Sequence, residues 1–253
     1  MSQEQLYIVT GASRGMGQAI ARALLAPGHV LIGISRKTSA ALTEAVSAQG
    51  GVLEQWEQDL AQPLAAAQRL QAWLQAQPVT RFASATLINN AGVVPPPGPV
   101  DGSSLEDLSN ALRVGLEATL LLSSAFLRAT PQLGKARRIL NISSGLGRRA
   151  MAGSAAYCAA KAGMDNLSRA MALDEAAKDQ GAAIVSLAPG IIDTDMQAQL
   201  RAGDPKGFPD RAVFVNFKDS GALLSPEQAA QNVVRFLARP DFGQTVLADV
   251  REA

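Results

Sequence analysis

The 253-residue chain predicts an α/β fold: one parallel sheet with helices on both faces. Three observations carry this. Short runs of strand-forming residues alternate with longer alanine- and leucine-rich stretches along the whole chain. A glycine-rich turn joins the first run to the first of those stretches. Apolar residues make up 47% and charged residues 18%, enough for a sizeable core, and the length suits a single domain over 1–253.

"LYIVT" (6–10) is the first strand, and it runs into "TGASRGMGQAIARALL". Gly11, Gly15 and Gly17 fall at a strand-to-helix turn, with Ser13, Arg14 and Met16 between them. Glycine permits a tight turn and close approach of backbone to a phosphate, and the helix N-terminus offers oriented N–H groups. The plain alternative is a tight turn without a ligand. "HVLIGIS" (29–35) is the second strand, followed by Arg36 and Lys37 after Ser35. A chain that binds NAD usually carries an acid about 20 residues beyond the first glycine. None occurs between Glu4 and Glu44, and the cations Arg14, Arg36 and Lys37 suit a 2′-phosphate. The expected cofactor is NADPH.

"GVLEQWE" (51–57) is the third strand. Beyond it Asp59, beside Leu60, is placed either to meet an adenine edge or to cap a short turn. "PLAAAQRLQAWLQ" has helical spacing. "ATLINN" (85–90) is the fourth strand, closing in Asn89-Asn90-Ala91-Gly92, where asparagine amides can bond backbone at the opening of the sheet and Asn89, Ala91 and Gly92 are candidate cofactor contacts. A Pro/Gly loop (93–104) precedes a long helix, 104–129.

"ARRILNIS" (136–143) is the fifth strand, and Ser143 or Ser144 follows as a hydroxyl for a carbonyl oxygen. A second long helix, 154–179, holds Tyr157 and Lys161 one turn apart on one face. An ammonium beside a phenol favours phenolate, lowering the tyrosine pKa, and such a tyrosine exchanges protons with a carbonyl or alcohol. "AAIVSLAP" (182–189) is the sixth strand. The stretch 199–227 is polar and turn-rich and reads as a loop or lid. Ser225 caps a helix with Pro226 in its first turn, and "QTVLAD" (244–249) is the last strand.

The formal net charge of +1 gives no field for nucleic acid or an acidic membrane, and Arg148-Arg149 reads as solvated surface. Cys158 is the one cysteine, so no intrachain disulfide is possible. The first residues lack a signal-peptide pattern, and no apolar run approaches the roughly 18 residues of a membrane span. A cytoplasmic protein without a membrane, nucleic-acid or metal partner is expected.

"TGASRGMG" (10–17), "NNAG" (89–92), "NISS" (141–144), "YCAAK" (157–161) and "PGIIDTDM" (189–196) together resemble the short-chain dehydrogenase/reductase family over essentially the whole chain. The resemblance implies a doubly wound Rossmann sheet with strand order 3-2-1-4-5-6-7. It implies hydride transfer between nicotinamide and a carbonyl carbon, with Tyr157 delivering the proton. It selects Ser144 over Ser143, gives Lys161 the nicotinamide ribose, gives the backbone at Pro189-Gly190-Ile191-Ile192 and the Thr194 hydroxyl the carboxamide side, and makes Met196 a further cofactor contact. It also implies a homodimer or homotetramer paired through the two long helices. One position departs: the family usually has an asparagine, which helps hold a relay water, where this chain has Gly115.

Within the family, 188–197 and the tail 242–252 are similar to the sepiapterin reductases, whose pterin-anchoring aspartate falls on Asp249. Relatives with similar ends reduce diketones such as benzil. The expected substrate is therefore a ketone or vicinal dicarbonyl, pterin-like or benzil-like. Other carbonyls (3-oxoacyl thioesters, steroids, sugars) and a non-catalytic NADP-binding regulator are the alternatives.

Overall fold

Successive residues of a strand point to opposite faces of a sheet, and in this protein both faces are apolar. The structure, a computed structural model, describes residues 3–252. β1 (Glu4–Thr10) sends Leu6 and Ile8 into one core and Val9 into another. β2 (His29–Ser35) divides Val30, Ile32 and Ile34 from Leu31 in the same way. β3 (Val52–Glu57), β4 (Phe82–Asn89), β5 (Arg137–Ile142), β6 (Ala183–Ala188) and β7 (Leu247–Asp249) extend the sheet. The order is β3-β2-β1-β4-β5-β6-β7 and all pairings are parallel, as the resemblance implies.

Helices cover each face. α3 (Pro63–Gln75), α5 (Ala118–Ala129) and α6 (Ala155–Ala176) bring Leu70, Leu122, Phe126 and Met171 to the first core. α1 (Gly15–Ala23), α2 (Ala40–Gln49) and α9 (Pro226–Leu237) bring Ile20, Leu42, Val233 and Phe236 to the second. Burying one such side chain fully contributes about 1.5–3 kcal/mol. A one-residue slip of a central strand would exchange its two apolar sets between cores, so the register is firmly set.

The expected strands all form, the last of them shorter than expected, over Leu247–Asp249. Three segments differ from the sequence reading. α2 lacked a signal because only Leu42 and Ala45 are buried on it, although Ser39 caps it by accepting from the Leu42 N–H. The long helix over 104–129 is α4 (Leu105–Leu112) joined to α5 by a π turn at Arg113–Glu117. The stretch 199–227 is not a bare loop. It holds the end of α7 (Asp195–Arg201) and all of α8 (Arg211–Asp219), and these build a third small core from Leu146, Met151, Leu200, Phe208 and Phe214. Among the described residues, no helix is long and apolar enough to cross a membrane.

Candidate active site

The C-terminal ends of β1, β4, β5 and β6 open on one side of the sheet, where crevices form in doubly wound folds. The glycine turn takes its shape from two left-handed residues, Gly11 at φ +69° and Gly15 at φ +55°. Gly17 is required by space: a Cβ there would lie 2.2 Å from the Gly11 carbonyl oxygen. Beneath it, Asn90 Nδ2 donates to the Thr10 carbonyl, and Thr10 Oγ1 accepts from the N–H groups of Asn90 and Ala91, each at 2.9 Å. These bonds tie the end of β4 to the end of β1. Arg14, the N-cap of α1, makes no side-chain cap bond, and the first turn of α1 has no acid. The helix N-terminus thus fits a phosphate.

Other parts of the crevice wall close in around this turn. A Cβ on Gly15 would sit 3.7 Å from Thr194 Cγ2, and one on Gly92 would sit 3.6 Å from Lys161 Nζ. The segment from Pro189 to Thr194 turns through Gly190 (φ +88°) and is held by paired bonds between Ile191, Asp193 and Leu224, each 2.9 Å. Arg36 and Lys37 stand exposed at the end of β2 after buried Ser35. Arg14 forms an exposed ion pair with Asp195, bridging the glycine turn and α7. An ion pair this exposed is worth about 0–1 kcal/mol and is cheaply broken.

Three of the assigned cofactor contacts find other or additional work. The Asn89 amide is turned into the interior, donating to Asn141 Oδ1 at 2.9 Å and Ser123 Oγ at 3.2 Å. Asn141 Nδ2 continues to Ser168 Oγ at 2.8 Å. Asn89 Nδ2 therefore joins β4 to β5 and α5, and through Asn141 to α6, since a buried donor needs a partner inside the fold. Asp59 accepts from the Ala61 N–H at 3.0 Å, which makes it the cap of a turn, with Leu60 buried behind it. Met196 packs on the third core beside Tyr157.

At the reaction end, the resemblance separated the two serines and the structure gives the reason. Ser143 is buried, with its N–H bonded to the Leu187 carbonyl in the sheet. Ser144 is half-buried, and its hydroxyl lies near enough to the Tyr157 phenol to hold its pKa down. Ser144 Oγ also accepts from the Leu146 N–H at 3.2 Å, capping the 3₁₀ turn Gly145–Gly147. Lys161 Nζ donates to the Ile142 carbonyl at 2.6 Å and lies 5.7 Å from the Tyr157 ring centre.

The electrostatics correct one expectation. Burial pushes the Tyr157 phenol up to about 12; the Ser144 hydrogen bond opposes it only in part. Burial also brings the Lys161 amine down to about 8, with Asp165 pulling the other way. Desolvation of both groups outweighs the expected lowering of the phenol by the ammonium, since each charged form has lost water. Tyr157 is thus held as a neutral acid, able to give a proton.

Asp249 is not an open carboxylate. Arg251 Nε and Nη2 donate to its two oxygens at 2.9 and 2.6 Å, and the Arg251 N–H adds a third bond at 3.0 Å. Arg148 is exposed, as expected, and its guanidinium also donates to the Ala248 carbonyl at 2.8 Å and approaches buried Asp165 at 3.6 Å. Gly115 sits inside the π turn, and a Cβ there would lie 3.1 Å from Ala160 Cβ, so its bareness serves contact with α6. The sequence reading missed Asp165, the Asn141–Ser168 bond and the aromatic wall of Phe208 and Phe214. Only Asp165 left a signal, one helical turn beyond Lys161.

The short chain dehydrogenase family profile matches residues 5–205. A benzil reductase ((S)-benzoin forming) from Bacillus cereus is 33% identical over 94% of this chain and 95% of its own. A sepiapterin reductase from Meriones unguiculatus is 32% identical over 93% of this chain and 92% of its own. A crystal structure described as a putative NAD(P)-dependent gluconate 5-dehydrogenase from Beutenbergia cavernae, with bound NADP, superposes at a TM-score of 0.82. It is 28% identical and covers 98% of this chain and 95% of its own. With the sheet order, the glycine turn and the Ser144–Tyr157–Lys161 cluster in place, the chain belongs to the short-chain dehydrogenase family and is an oxidoreductase.

Proposed function

We propose that the protein is an NADPH-dependent carbonyl reductase whose preferred substrate is an apolar vicinal diketone of the benzil kind. The observation that carries this is the wall around Tyr157. Val94, Pro95, Pro96, Val100 and Leu108 line the cleft beside Tyr157, and Tyr157 itself packs on the buried core of Leu146, Met151, Leu200, Phe208 and Phe214. Such a wall gains from burying aryl or alkyl groups and offers few partners to a polar ring. The pterin-like reading is weaker because Asp249 is already paired with Arg251.

The fit to a nicotinamide cofactor rests on the glycine cradle, the uncapped start of α1, and Gly92 set against Lys161. When bound, the cofactor supplies the hydride. Arg36, Lys37 and Arg14 would hold a 2′-phosphate by charge-assisted hydrogen bonds. Lys161 would hold ribose hydroxyls, and Pro189, Gly190, Ile192 and Thr194 the carboxamide side. Ser144 and Tyr157 orient the carbonyl oxygen, and Tyr157 gives it the proton. A benzil reductase among the relatives supports the substrate class. A homodimer or homotetramer is proposed from exposed Leu105 (78%) on α4 and Leu173 (74%) on α6, and a cytoplasmic setting from the lone free Cys158.

The test is NADPH turnover with benzil, sepiapterin and a 3-oxoacyl thioester, for the parent chain and for Val94→Ser. Benzil is expected to lead in kcat/KM and to lose most in the variant. A lead for the thioester would overturn the diketone reading. NADPH bound without turnover on any carbonyl would favour a non-catalytic regulator.

A further inference from the structure

Asp165 lies one helical turn beyond Lys161 on the same face of α6. Its side chain is 5% exposed. Ser186 Oγ, from β6, donates to Asp165 Oδ1 at 2.6 Å, while Oδ2 has no hydrogen-bond partner. The turn after β5 seals this oxygen from water. A Cβ on Gly147 would lie 2.8 Å from Asp165 Oδ2 and 2.9 Å from the Lys161 carbonyl oxygen. A buried carboxylate one turn from a buried ammonium has no purpose in packing that a leucine would not serve better.

We propose that Asp165 is a positioning residue that keeps Lys161 charged, and that Arg148 moderates its field. The inference rests on the reductase reading for its use in turnover, but not for its physical test. The groups facing the pair are few. On α6 itself there are Tyr157 and Cys158. The turn after β5 gives Ser144 and Arg148, the latter 3.6 Å from Asp165 Oδ2. β6 gives Ser186, and β7 and the tail give Asp249, closed upon Arg251. On α4, which also packs against α6, Glu106 is exposed and Asp107 half-buried, and on the π turn Arg113 and Glu117 are exposed. Asp165 is thus the acid on α6 whose field raises the amine, against the desolvation that lowers it.

The test titrates Lys161 directly by NMR of the full chain carrying lysine labelled at Cε, with Lys161→Met to assign the signal. In Asp165→Asn, which keeps an acceptor for Ser186, the Lys161 midpoint is expected to fall by about one pH unit. The alkaline limb of kcat with NADPH and benzil is expected to move down with it, with turnover retained on the acid side. Arg148→Gln, which removes a neighbouring cation, is expected to move the midpoint up, and decides the matter if Asp165→Asn does not fold. An unmoved midpoint overturns the proposal, as does a loss of melting temperature alone with the pH profile unchanged. Absence of carbonyl turnover in the parent chain would instead overturn the reductase reading, and the lysine titration would still decide this one.

Discussion

Lys161 Nζ is fixed to the Ile142 carbonyl oxygen at 2.6 Å, so the amine of α6 is anchored to the last residue of β5. Ser143 and Ser144 follow at once, and the anchor sets Lys161, Ser144 and Tyr157 in one frame. With the amine brought down to about 8 and the phenol raised to about 12, the alkaline limit of turnover belongs to Lys161. Carbonyl reduction is expected to fall above a pH of about 8, while Tyr157 stays protonated. A kcat series from about pH 6 to about pH 10 measures it. In Lys161→Arg the limb should disappear, since a guanidinium keeps its charge; a limb unmoved there belongs to another group.

The same amine weakens the fold. Its folded pKa of about 8 lies below the unfolded value of 10.5, so between the two the unfolded chain holds the extra proton. The penalty is full below about pH 8 and fades as pH rises to 10.5. A shift of that size corresponds to about 3 kcal/mol. Lys161→Met is expected to raise stability by roughly 1–3 kcal/mol at neutral pH and by little at the alkaline end. Urea denaturation at the two pH values tests this. An equal gain at both would assign the effect to packing.

Removing the acid should leave the crevice intact. Tyr157→Phe is expected to lower kcat by about 10²- to 10⁴-fold. NADPH binding, read by quenching of tryptophan fluorescence, should be nearly unchanged. A matching loss of binding would mean that the phenol shapes the cofactor site itself.

Cofactor choice should follow the exposed cations after β2. In Arg36→Asp, the NADPH preference is expected to fall by roughly 10- to 100-fold, the worth of one charge-assisted hydrogen bond. The ratio of kcat/KM for NADPH and NADH measures it. An unchanged ratio would leave Lys37 and Arg14 as the phosphate ligands.

Gly115 faces Ala160 at a distance where a new Cβ would lie 3.1 Å away. Both atoms ride on helix backbone and cannot swing aside. Gly115→Asn is expected to cost roughly 1–3 kcal/mol by overpacking, despite the better helix propensity. Adding Ala160→Gly should recover most of it. If melting curves show no recovery, the cost lies in the π turn and not in the contact.

The seven strands were legible because their runs are short, β-branched and bounded by turns, and the glycine turn and the Tyr157–Lys161 pair stood at fixed spacings. What escaped depends on distance in space. α2 buries two residues, too few for a periodic stripe. Asn89 was expected at the cofactor, and its side-chain partners Ser123 and Asn141, 34 and 52 residues away, could not be read from the sequence. Asp249 looked open because Arg251, two residues on, reads equally well as exposed. The aromatic wall came from 199–227, where turn residues hid the helical spacing around Phe214.

The π turn at Arg113–Glu117 accommodates one residue more than an α-helix needs. Before it, α4 packs against α6; after it, α5 packs against α3. One continuous rod thus presents two differently aimed faces. Deleting a residue from 113–117 would let the wide turn rewind to a regular one, which takes up the missing residue and leaves the faces on either side aimed nearly as before. Leu122 and Phe126, both fully buried, would keep their places in the first core, whereas a deletion within α5 ahead of them would turn them out by about 100°. In terms of tolerated variation, this stretch can give up a residue where the regular helices on either side cannot.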